Sequence, residues 1–239
     1  MAVITTADKA IKKVNNGNSL MVGGFLGVGS PLKLIDNLAE KDVEELTFIS
    51  VVGGYPGGEF DIGKLAPKKQ IKKFIGAHIG TDPKLVKAYN DGDIEVEFNP
   101  MGTFIERIRA AGGGLGAVVT PVGLGTEVEE LGEKINLFGS EYLAHPPLSA
   151  DVALIKAVKA DKKGNLMYEG TSINTNTTMA TAADIVIAEV DEIVEVGEIE
   201  PNDIGTQGIF VDYIVEGYSK EERKDIFEEL WEKSGKFNK

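Results

Sequence analysis

Residues 16 to 31 read Asn-Gly-Asn-Ser-Leu-Met-Val-Gly-Gly-Phe-Leu-Gly-Val-Gly-Ser-Pro. An apolar strand at 20–22 leads directly into four glycines within seven residues. Ser30 and Pro31 then suit the N-cap and the first position of a helix. Because glycine lets a ligand approach bare backbone N–H groups and a helix N-terminus attracts anions, this segment predicts a site for a phosphorylated small molecule.

The composition limits the classes of protein to which this chain can belong. Its 239 residues suffice for one large domain with a sizeable core. The formal charge of −13 argues against nucleic acid or an anionic membrane as the main partner. Cysteine is absent, which excludes disulfides, a thiolate nucleophile and a cysteine-ligated metal. Since no apolar run approaches the ~20 residues of a membrane span and no signal-peptide pattern is found, we expect a cytoplasmic protein without a metal site.

Apolar strands alternate with amphipathic helices along most of the chain, which is typical of an α/β fold. Strands are predicted at 20–22, 46–52, 71–79, 94–98, 117–120, 152–157 and 185–189. Helices are predicted at 6–14, 30–38, 83–90, 104–111 and 179–183. A loop is predicted at 53–63, and a hairpin around Gly139 from strands at 135–138 and 142–143. This order, without internal repeats, favours a single domain with a central, mostly parallel sheet flanked by helices.

The C-terminal segment predicts one further amphipathic helix. Ser219 and Glu222 form a capping box at its start. Four apolar side chains then share one face: Ile226, Phe227, Leu230 and Trp231. We therefore expect a helix over 219–234 that docks by this face, and a division of the chain into a domain at 1–218 and a helical tail at 219–239.

The glycine-rich stretch at 23–29 also fits a dinucleotide-binding turn or a plain strand–helix connection. A dinucleotide site expects an acidic residue at the end of the second strand, roughly 20 residues after the last glycine. Here that strand ends in Ser-Val-Val at 50–52. The two histidines, His78 and His145, lack metal-ligand spacing, and no pair of carboxylates stands out as general acid and base. The residues thus indicate a ligand-binding loop within an incomplete active site.

Residues 16 to 31 match, position by position, the first signature of the family I CoA-transferases. That signature is Asp/Asn, Gly/Asn, two variable residues, three apolar residues, Gly-Gly-Phe, three variable residues, Gly, one variable residue and Pro. The likeness extends to about Val215 and includes Gly102-Thr103, Glu106-Arg107-Ile108-Arg109-Ala110, the turn at 120–126, Ala150-Asp151, Gly164-Asn165-Leu166 and Ala182-Ala183. Within the family, the chain resembles the α subunit of short-chain 3-oxoacid, acetate or butyrate CoA-transferases.

This resemblance implies a fold, an activity and a partner. The family has a parallel α/β sheet of the sugar-phosphate-isomerase-like type, and its active site lies between an α and a β subunit, commonly in an α₂β₂ heterotetramer. The reaction is ping-pong. A β-subunit glutamate in a Ser-Glu-Asn-Gly signature attacks the acyl-CoA and becomes a glutamyl-CoA thioester, from which a second acid takes the CoA. This chain contains no Glu-Asn-Gly, so the nucleophile is expected from the β subunit.

The resemblance also assigns site residues. It implies a CoA-binding segment made of Gly23, Gly24, Phe25, Leu26, Gly27, Val28 and Gly29. CoA is then a substrate, and no cofactor is permanently bound. The backbone N–H groups and the following helix dipole are expected to offset phosphate or oxyanion charge. The oxyanion region is expected at Met101 and Gly102, but the family usually has Gln at 101, and a thioether cannot donate a hydrogen bond.

Other departures from the family pattern leave the acyl substrate open. His145 stands where Glu is common, and Thr175 and Thr177 belong to an Asn-Thr-Asn-Thr run where Asn-Phe-Asn-Pro is usual. The expected acids are acetate-, butyrate- or acetoacetate-like, as in short-chain fatty acid and ketone body metabolism. Two alternatives remain. One is a sugar-phosphate isomerase or ligand-sensing domain on the same general fold, and the other is an acyl-carrier-dependent lyase subunit.

Overall fold

A sheet of eight parallel strands forms the centre of the molecule in the computed structural model, which describes residues 1–55 and 60–233. The strands are β1 (Val3–Thr5), β2 (Ser19–Val22), β3 (Leu46–Ile49), β4 (Ile71–Gly76), β5 (Glu95–Phe98), β6 (Val118–Thr120), β7 (Glu133–Leu137), β8 (Ser140–His145), β9 (Ala150–Lys156), β10 (Lys159–Asp161), β11 (Leu166–Met167), β12 (Ala183–Val190), β13 (Glu192–Val194) and β14 (Tyr213–Glu216). The helices are α1 (Ala7–Ala10), α2 (Leu32–Ala39), α3 (Pro83–Asn90), α4 (Met101–Gly112), α5 (Asn176–Met179) and α6 (Lys220–Lys233). The predicted α/β class with a parallel central sheet is confirmed.

The middle strands of the large sheet are apolar because both of its faces are covered there. In β2, Leu20 and Val22 belong to one hydrophobic core and Met21 belongs to the other. Successive side chains of a strand point to opposite faces, so a strand covered on both sides needs apolar residues throughout. Full burial of one such side chain contributes roughly 1.5–3 kcal/mol. The two cores therefore hold the strands, and with them the ends of the loops at the sheet's edge, in fixed positions.

The order of strands in the large sheet reverses at its middle. The sequence of neighbours is β1-β14-β12-β9-β2-β3-β4-β5. The chain thus proceeds outward from β2 to β5, and it later returns to the other side of β2 at β9. In parallel α/β sheets, ligands bind outside the carboxyl ends of the strands where the order reverses. The loops after β2 and β9 are therefore the expected position of a ligand.

Two small sheets accompany the large one. The sheet β6-β8-β7 is antiparallel and contains the predicted hairpin, which turns at Gly139 with φ of 81°. The second small sheet has the order β11-β10-β13. Its three strands, together with β1 and β14, are absent from the sequence prediction. Each of these five strands has only two to four residues, which is too short for a clear hydrophobic period.

The prediction of a helix at 179–183 is wrong. The helix α5 ends at Met179, and Ala183 already pairs with Ala150 in the large sheet. The run of small residues here has good helix propensity. Propensity is outweighed because β12 must begin at this point to align with β9.

The C-terminal helix and its capping box are confirmed. The N–H of Ser219 donates to Glu222 Oε2 at 2.7 Å, and the N–H of Glu222 donates to Ser219 Oγ at 3.1 Å. Position 234 of the predicted helix lies outside the described residues. So do residues 56–59 of the predicted loop, whose later part at 61–64 forms a 3-10 turn. None of the helices in the described ranges is long and apolar enough to cross a bilayer.

Candidate functional site

The glycine loop, residues 23–29, forms a tight turn at the carboxyl end of β2. The N–H of Phe25 donates to Val28 O at 2.9 Å, and the N–H of Val28 donates to Phe25 O at 3.0 Å. Between them, Leu26 and Gly27 have φ of 52° and 84°. Positive φ at both central residues is what a type I′ turn requires. The predicted strand and tight turn are therefore confirmed.

The glycines of this loop are required by neighbouring protein atoms. A Cβ on Gly23 would lie 1.9 Å from Asn176 Oδ1, and a Cβ on Gly29 would lie 2.4 Å from Ser172 O. No real Cβ tolerates such distances. The missing side chains thus allow segment 172–176 to pack directly against the loop, in addition to any access that they give to a ligand.

Two asparagines of this segment hold the loop in place. Asn174 Oδ1 accepts from the N–H of Gly24 at 3.2 Å, and its Nδ2 donates to Val28 O at 2.9 Å. Asn176 is fully buried, and its Nδ2 donates to Gly29 O at 3.0 Å. Its Oδ1 accepts from the last backbone N–H of β9 at 3.0 Å. The pair therefore connects the ends of β2 and β9 across the reversal point of the sheet.

Part of the loop's backbone remains available to a ligand. The N–H groups of Gly23 and Gly24 are already taken by protein acceptors. Within the described part of the chain, no acceptor lies within hydrogen-bond distance of the N–H groups of Leu26, Gly27 and Gly29. Several N–H groups gathered in one turn form a ready anion-binding concavity.

The N-terminus of α2 is occupied by a side chain of the protein itself. Glu189, fully buried near the end of β12, accepts the N–H of Leu34 at 3.0 Å and also that of Lys33. Its carboxylate satisfies first-turn donors that would otherwise attract an anion. The prediction that this helix N-terminus is directed at a ligand is therefore wrong. At this end of β2, the backbone donors left for a ligand are therefore those of the loop and not those of α2.

Ser30 does not cap α2, contrary to the prediction. The helix begins at Leu32, with Pro31 at the N-cap and no capping side chain. Ser30 Oγ instead donates to the carboxylate of Asp61 at 2.8 Å. Burial raises the pKa of Asp61 to about 6, and the bond from Ser30 opposes this rise. Ser30 thus fastens the end of the loop to the 3-10 turn at 61–64.

A cavity of about 220 Å³ lies between the glycine loop, the end of β9 and α6. Residues 27–30 line it together with Lys156, Asp191 and Arg223. Both cations form ion pairs with Asp191, and Arg223 Nη2 lies 2.7 Å from Asp191 Oδ2. Burial lowers the pKa of Lys156, while the nearby carboxylates of Glu189 and Asp191 oppose that change. Lys156 and the unpaired N–H groups around one cavity suit an anionic part of a ligand.

The predicted oxyanion residues lie apart from this cavity. Met101 and Gly102 begin α4, directly after the edge strand β5. Since β5 is three strands from β2, the lateral distance to the glycine loop is roughly 14 Å. Met101 is 48% exposed, and a Cβ on Gly102 would meet nothing within 4 Å. The structure thus places both predicted subsites at the carboxyl edge of the sheet without bringing them into contact.

The other departures from the family pattern lie in three different places in the structure. His145 ends β8 in the antiparallel sheet, where it is buried, and burial lowers its pKa. Thr175 is buried, and its N–H donates to Asn174 Oδ1 at 2.6 Å. Thr177 lies within α5. Thr175 therefore supports the amide that holds the glycine loop.

Sequence reasoning missed the polar residues around the cavity. They are Lys156, Asn174, Asn176, Glu189, Asp191 and Arg223. The asparagines were visible only as part of a polar segment. Lys156, Glu189 and Asp191 stand at or just after the carboxyl ends of β9 and β12, and strand order alone brings these ends to the loop. A charged residue at the carboxyl end of an apolar strand is the signal that could have found Lys156.

Comparison with known proteins agrees with these observations. The sequence profile of a family described as Coenzyme A transferase matches residues 4–217. The acetoacetyl-CoA:acetate/butyrate CoA transferase alpha subunit of Clostridium acetobutylicum is 45% identical over 200 residues, which is 84% of this chain and 91% of that protein. The acetate CoA-transferase subunit alpha of Escherichia coli is 40% identical over 212 residues, 89% of this chain and 96% of that protein.

A solved structure shares the fold. An acyl-CoA transferase of Escherichia coli O157:H7, determined as a thioester complex with CoA, has a TM-score of 0.82 at 22% sequence identity. The match covers 90% of this chain and 47% of that chain, so the present chain spans about half the length of the solved one. At this level of identity the likeness is one of fold.

Proposed function

This chain belongs to the coenzyme A transferase family, and we propose that it is the α subunit of a heteromeric enzyme. The enzyme moves CoA between a short-chain acyl-CoA and a free carboxylic acid. The relatives that match over most of their length are named as alpha subunits, and their names specify acetate, butyrate and acetoacetyl-CoA. We propose acids of this size as substrates, a cytoplasmic location, and an α₂β₂ assembly with a β-type partner.

The proposal rests mainly on the geometry of the glycine loop. Its N–H groups at Leu26, Gly27 and Gly29 have no acceptor among the described residues, and the loop follows β2 at the reversal point of the sheet. Lys156, at the end of β9, brings positive charge to the same cavity. We assign the CoA phosphates or the thioester oxygen to these donors, because both concentrate negative charge.

The chemical step requires a carboxylate from the partner. That carboxylate attacks the acyl carbon, the C–S bond breaks, and an acyl anhydride and the CoA thiolate form. The thiolate then attacks the partner's own carbonyl carbon, which releases the first acid and leaves a glutamyl-CoA thioester. The second acid repeats these steps in reverse order. Covalent storage of CoA divides one difficult transfer into easier ones, and this chain contributes binding and exclusion of water.

The oxyanion assignment at Met101 and Gly102 remains part of the proposal in modified form. The thioether of Met101 cannot replace an amide donor. The first-turn N–H groups of α4 can, since the first N–H groups of a helix have no partner within it. The open space beside Gly102 allows an acyl oxygen to approach them.

Separating the subunits tests the division of labour. The purified chain alone should show no CoA transfer from acetoacetyl-CoA to acetate, and transfer should begin when the β-type partner is added. Loss of acetoacetyl-CoA absorbance measures the rate, and native mass spectrometry gives the stoichiometry. Sustained transfer by the single chain would contradict the proposal.

A charge reversal in the glycine loop tests the CoA site. Val28 is 46% exposed, and Val28→Glu places a carboxylate beside the loop's N–H groups. We expect the affinity of the assembled enzyme for CoA, measured by calorimetry, to fall at least tenfold. A second negative charge beside a bound phosphate repels it, and this repulsion costs more than about 1.4 kcal/mol. The matched control is Val3→Glu, at a residue that is 53% exposed on the edge strand β1. If both variants bind CoA with equal affinity, the glycine loop is not part of the CoA site.

A further inference from the structure

The C-terminal helix α6 forms one wall of the CoA cavity. Arg223 and Phe227 line the cavity opposite residues 27–30 of the glycine loop. A Cβ on Gly27 would lie 3.1 Å from the Phe227 ring, so the ring rests directly on the turn. The family profile ends at residue 217, and this wall is therefore built by residues beyond the matched region.

The covered cavity is too small for the whole of CoA. Its volume is about 220 Å³, whereas pockets that enclose drug-sized ligands measure roughly 300–1,000 Å³. CoA, with its nucleotide and long pantetheine arm, exceeds such ligands in size. With α6 in this position, the space between the helix and residues 27–30 admits only a small group.

Few contacts hold α6 against the loop. Arg223 pairs with Asp191, and the Phe227 ring lies 5.4 Å from the Phe60 ring. Tyr218, just before the helix, donates its hydroxyl to Asp36 at 2.8 Å. None of the helix residues is fully buried. A segment with so little buried apolar surface opens at low free-energy cost compared with the core.

Several contacts that stabilise α6 lie within its own segment, so the helix can move as one unit. Its capping box at 219–222 and the ion pair between Lys224 and Glu228, at 3.7 Å, are internal to the segment. These contacts persist when the helix leaves the loop.

We propose that α6 is an autoinhibitory lid over the glycine loop, latched by the Arg223–Asp191 ion pair and by Phe227, and that CoA binds when the lid is displaced. This inference rests on the proposed function, since it regulates the same site. The apparent dissociation constant of CoA is then the intrinsic constant divided by the open fraction.

The single tryptophan of the chain, Trp231, reports the position of the lid. It lies in α6, with its ring centroid 5.9 Å from that of Phe227. The chain is labelled with 5-fluorotryptophan before assembly with its unlabelled partner, so that one ¹⁹F resonance is observed. We expect saturating CoA to shift this resonance toward its position in the double variant Arg223→Met/Phe227→Ala, in which the latch is absent.

Calorimetry supplies the second measurement. The double variant should bind CoA about five- to tenfold more tightly than the wild type, because less of its binding free energy is used to open the lid. Lys224→Met removes a neighbouring charge that pairs within the helix, and it should leave the affinity unchanged.

The outcomes are distinguishable. If CoA binds while the resonance stays in place, or if the double variant binds CoA equally or more weakly, α6 is not a lid and this inference is overturned. If neither the wild type nor the variant binds CoA, the proposed function itself fails.

Discussion

Glu189 shows how one buried carboxyl group can determine what a helix N-terminus does. It is fully buried, and it accepts backbone N–H groups of α2 that otherwise attract a ligand. A Cβ on Gly217 would lie 2.6 Å from Glu189 Oε1, so this glycine leaves room for the carboxyl group. Burial raises the pKa of Glu189 to about 7, and the charge of Lys156 opposes the rise.

The raised pKa predicts a pH dependence of stability. Because the folded state holds the proton of Glu189 more tightly than the unfolded state, the stabilising contribution is complete below pH ~4.5 and is lost as the pH rises through about 7. Glu189→Gln lacks this titration. The free energy of unfolding of the wild type relative to Glu189→Gln should therefore decrease by about 2–3 kcal/mol between pH 5 and pH 8. Urea denaturation of both proteins at the two pH values measures this difference.

A second buried carboxyl group serves as the comparison for this experiment. The pKa of Asp61 is raised to about 6, also mainly by burial. The difference in unfolding free energy between the wild type and Asp61→Asn should also change with pH. It should level off at a pH about one unit lower than the corresponding difference for Glu189→Gln. A difference for Glu189→Gln that does not change with pH would contradict the prediction.

At the scale of elements, Arg107 joins α4 to the end of β5 and to the connection between β8 and β9. Its side chain is 7% exposed. Nε donates to Pro146 O at 2.9 Å, before β9, and Nη1 donates to Glu97 Oε1 of β5 at 2.8 Å and to Asn99 Oδ1 at 2.6 Å. Burial alone would raise the pKa of Glu97, but hydrogen bonds from Lys73, Arg107 and Asn99 lower it to about 2. One guanidinium therefore satisfies three acceptors from two segments of the chain.

Removal of this guanidinium should be strongly destabilising. Arg107→Met removes the guanidinium from the Pro146 carbonyl and the Asn99 amide oxygen, and it leaves Glu97 with only part of its donors. We expect a loss of about 3–5 kcal/mol. Arg109→Met on the same helix is the control, because Arg109 is exposed and pairs only with exposed Glu106. Its effect should stay within about 0.5 kcal/mol. Urea denaturation midpoints compare the two, and equal losses would show that Arg107 is not a structural link.

At the scale of the molecule, stability is distributed unevenly. The middle strands β2, β9 and β12 consist mostly of buried residues, whereas β7 has no buried residue. Local opening in proteins ranges from nearly no cost at exposed elements to the full unfolding free energy in the core. The large sheet and the antiparallel sheet should therefore open independently.

Hydrogen exchange followed by mass spectrometry tests this distribution. Amides of β2, β9 and β12 should exchange only by global unfolding, and those of β7 should exchange at least a hundredfold faster, because their opening costs less free energy. The exchange of β8, which pairs with β7, should lie between the two. Uniform protection across both sheets would contradict this prediction.

Local sequence determined much of this protein by itself. The glycine turn, the apolar strands, the capped C-terminal helix and the family resemblance all depend on residues that are close together in the chain. Short-range patterns of hydrophobicity and turn residues are sufficient for such features. They also predicted that this chain lacks the family's nucleophile signature, since that is a property of the sequence alone.

Only the tertiary structure decided which residues share the cavity and what the helix N-terminus binds. Glu189 accepts a hydrogen bond from Leu34, which is 155 residues away in the chain, and Arg223 donates to Asp191, which is 32 residues away. These contacts follow from strand order and from the docking of α6, which arise when distant segments bury their apolar faces together. Ser30 could therefore be assigned as a helix cap from its neighbours, although its actual partner, Asp61, is brought to it by packing.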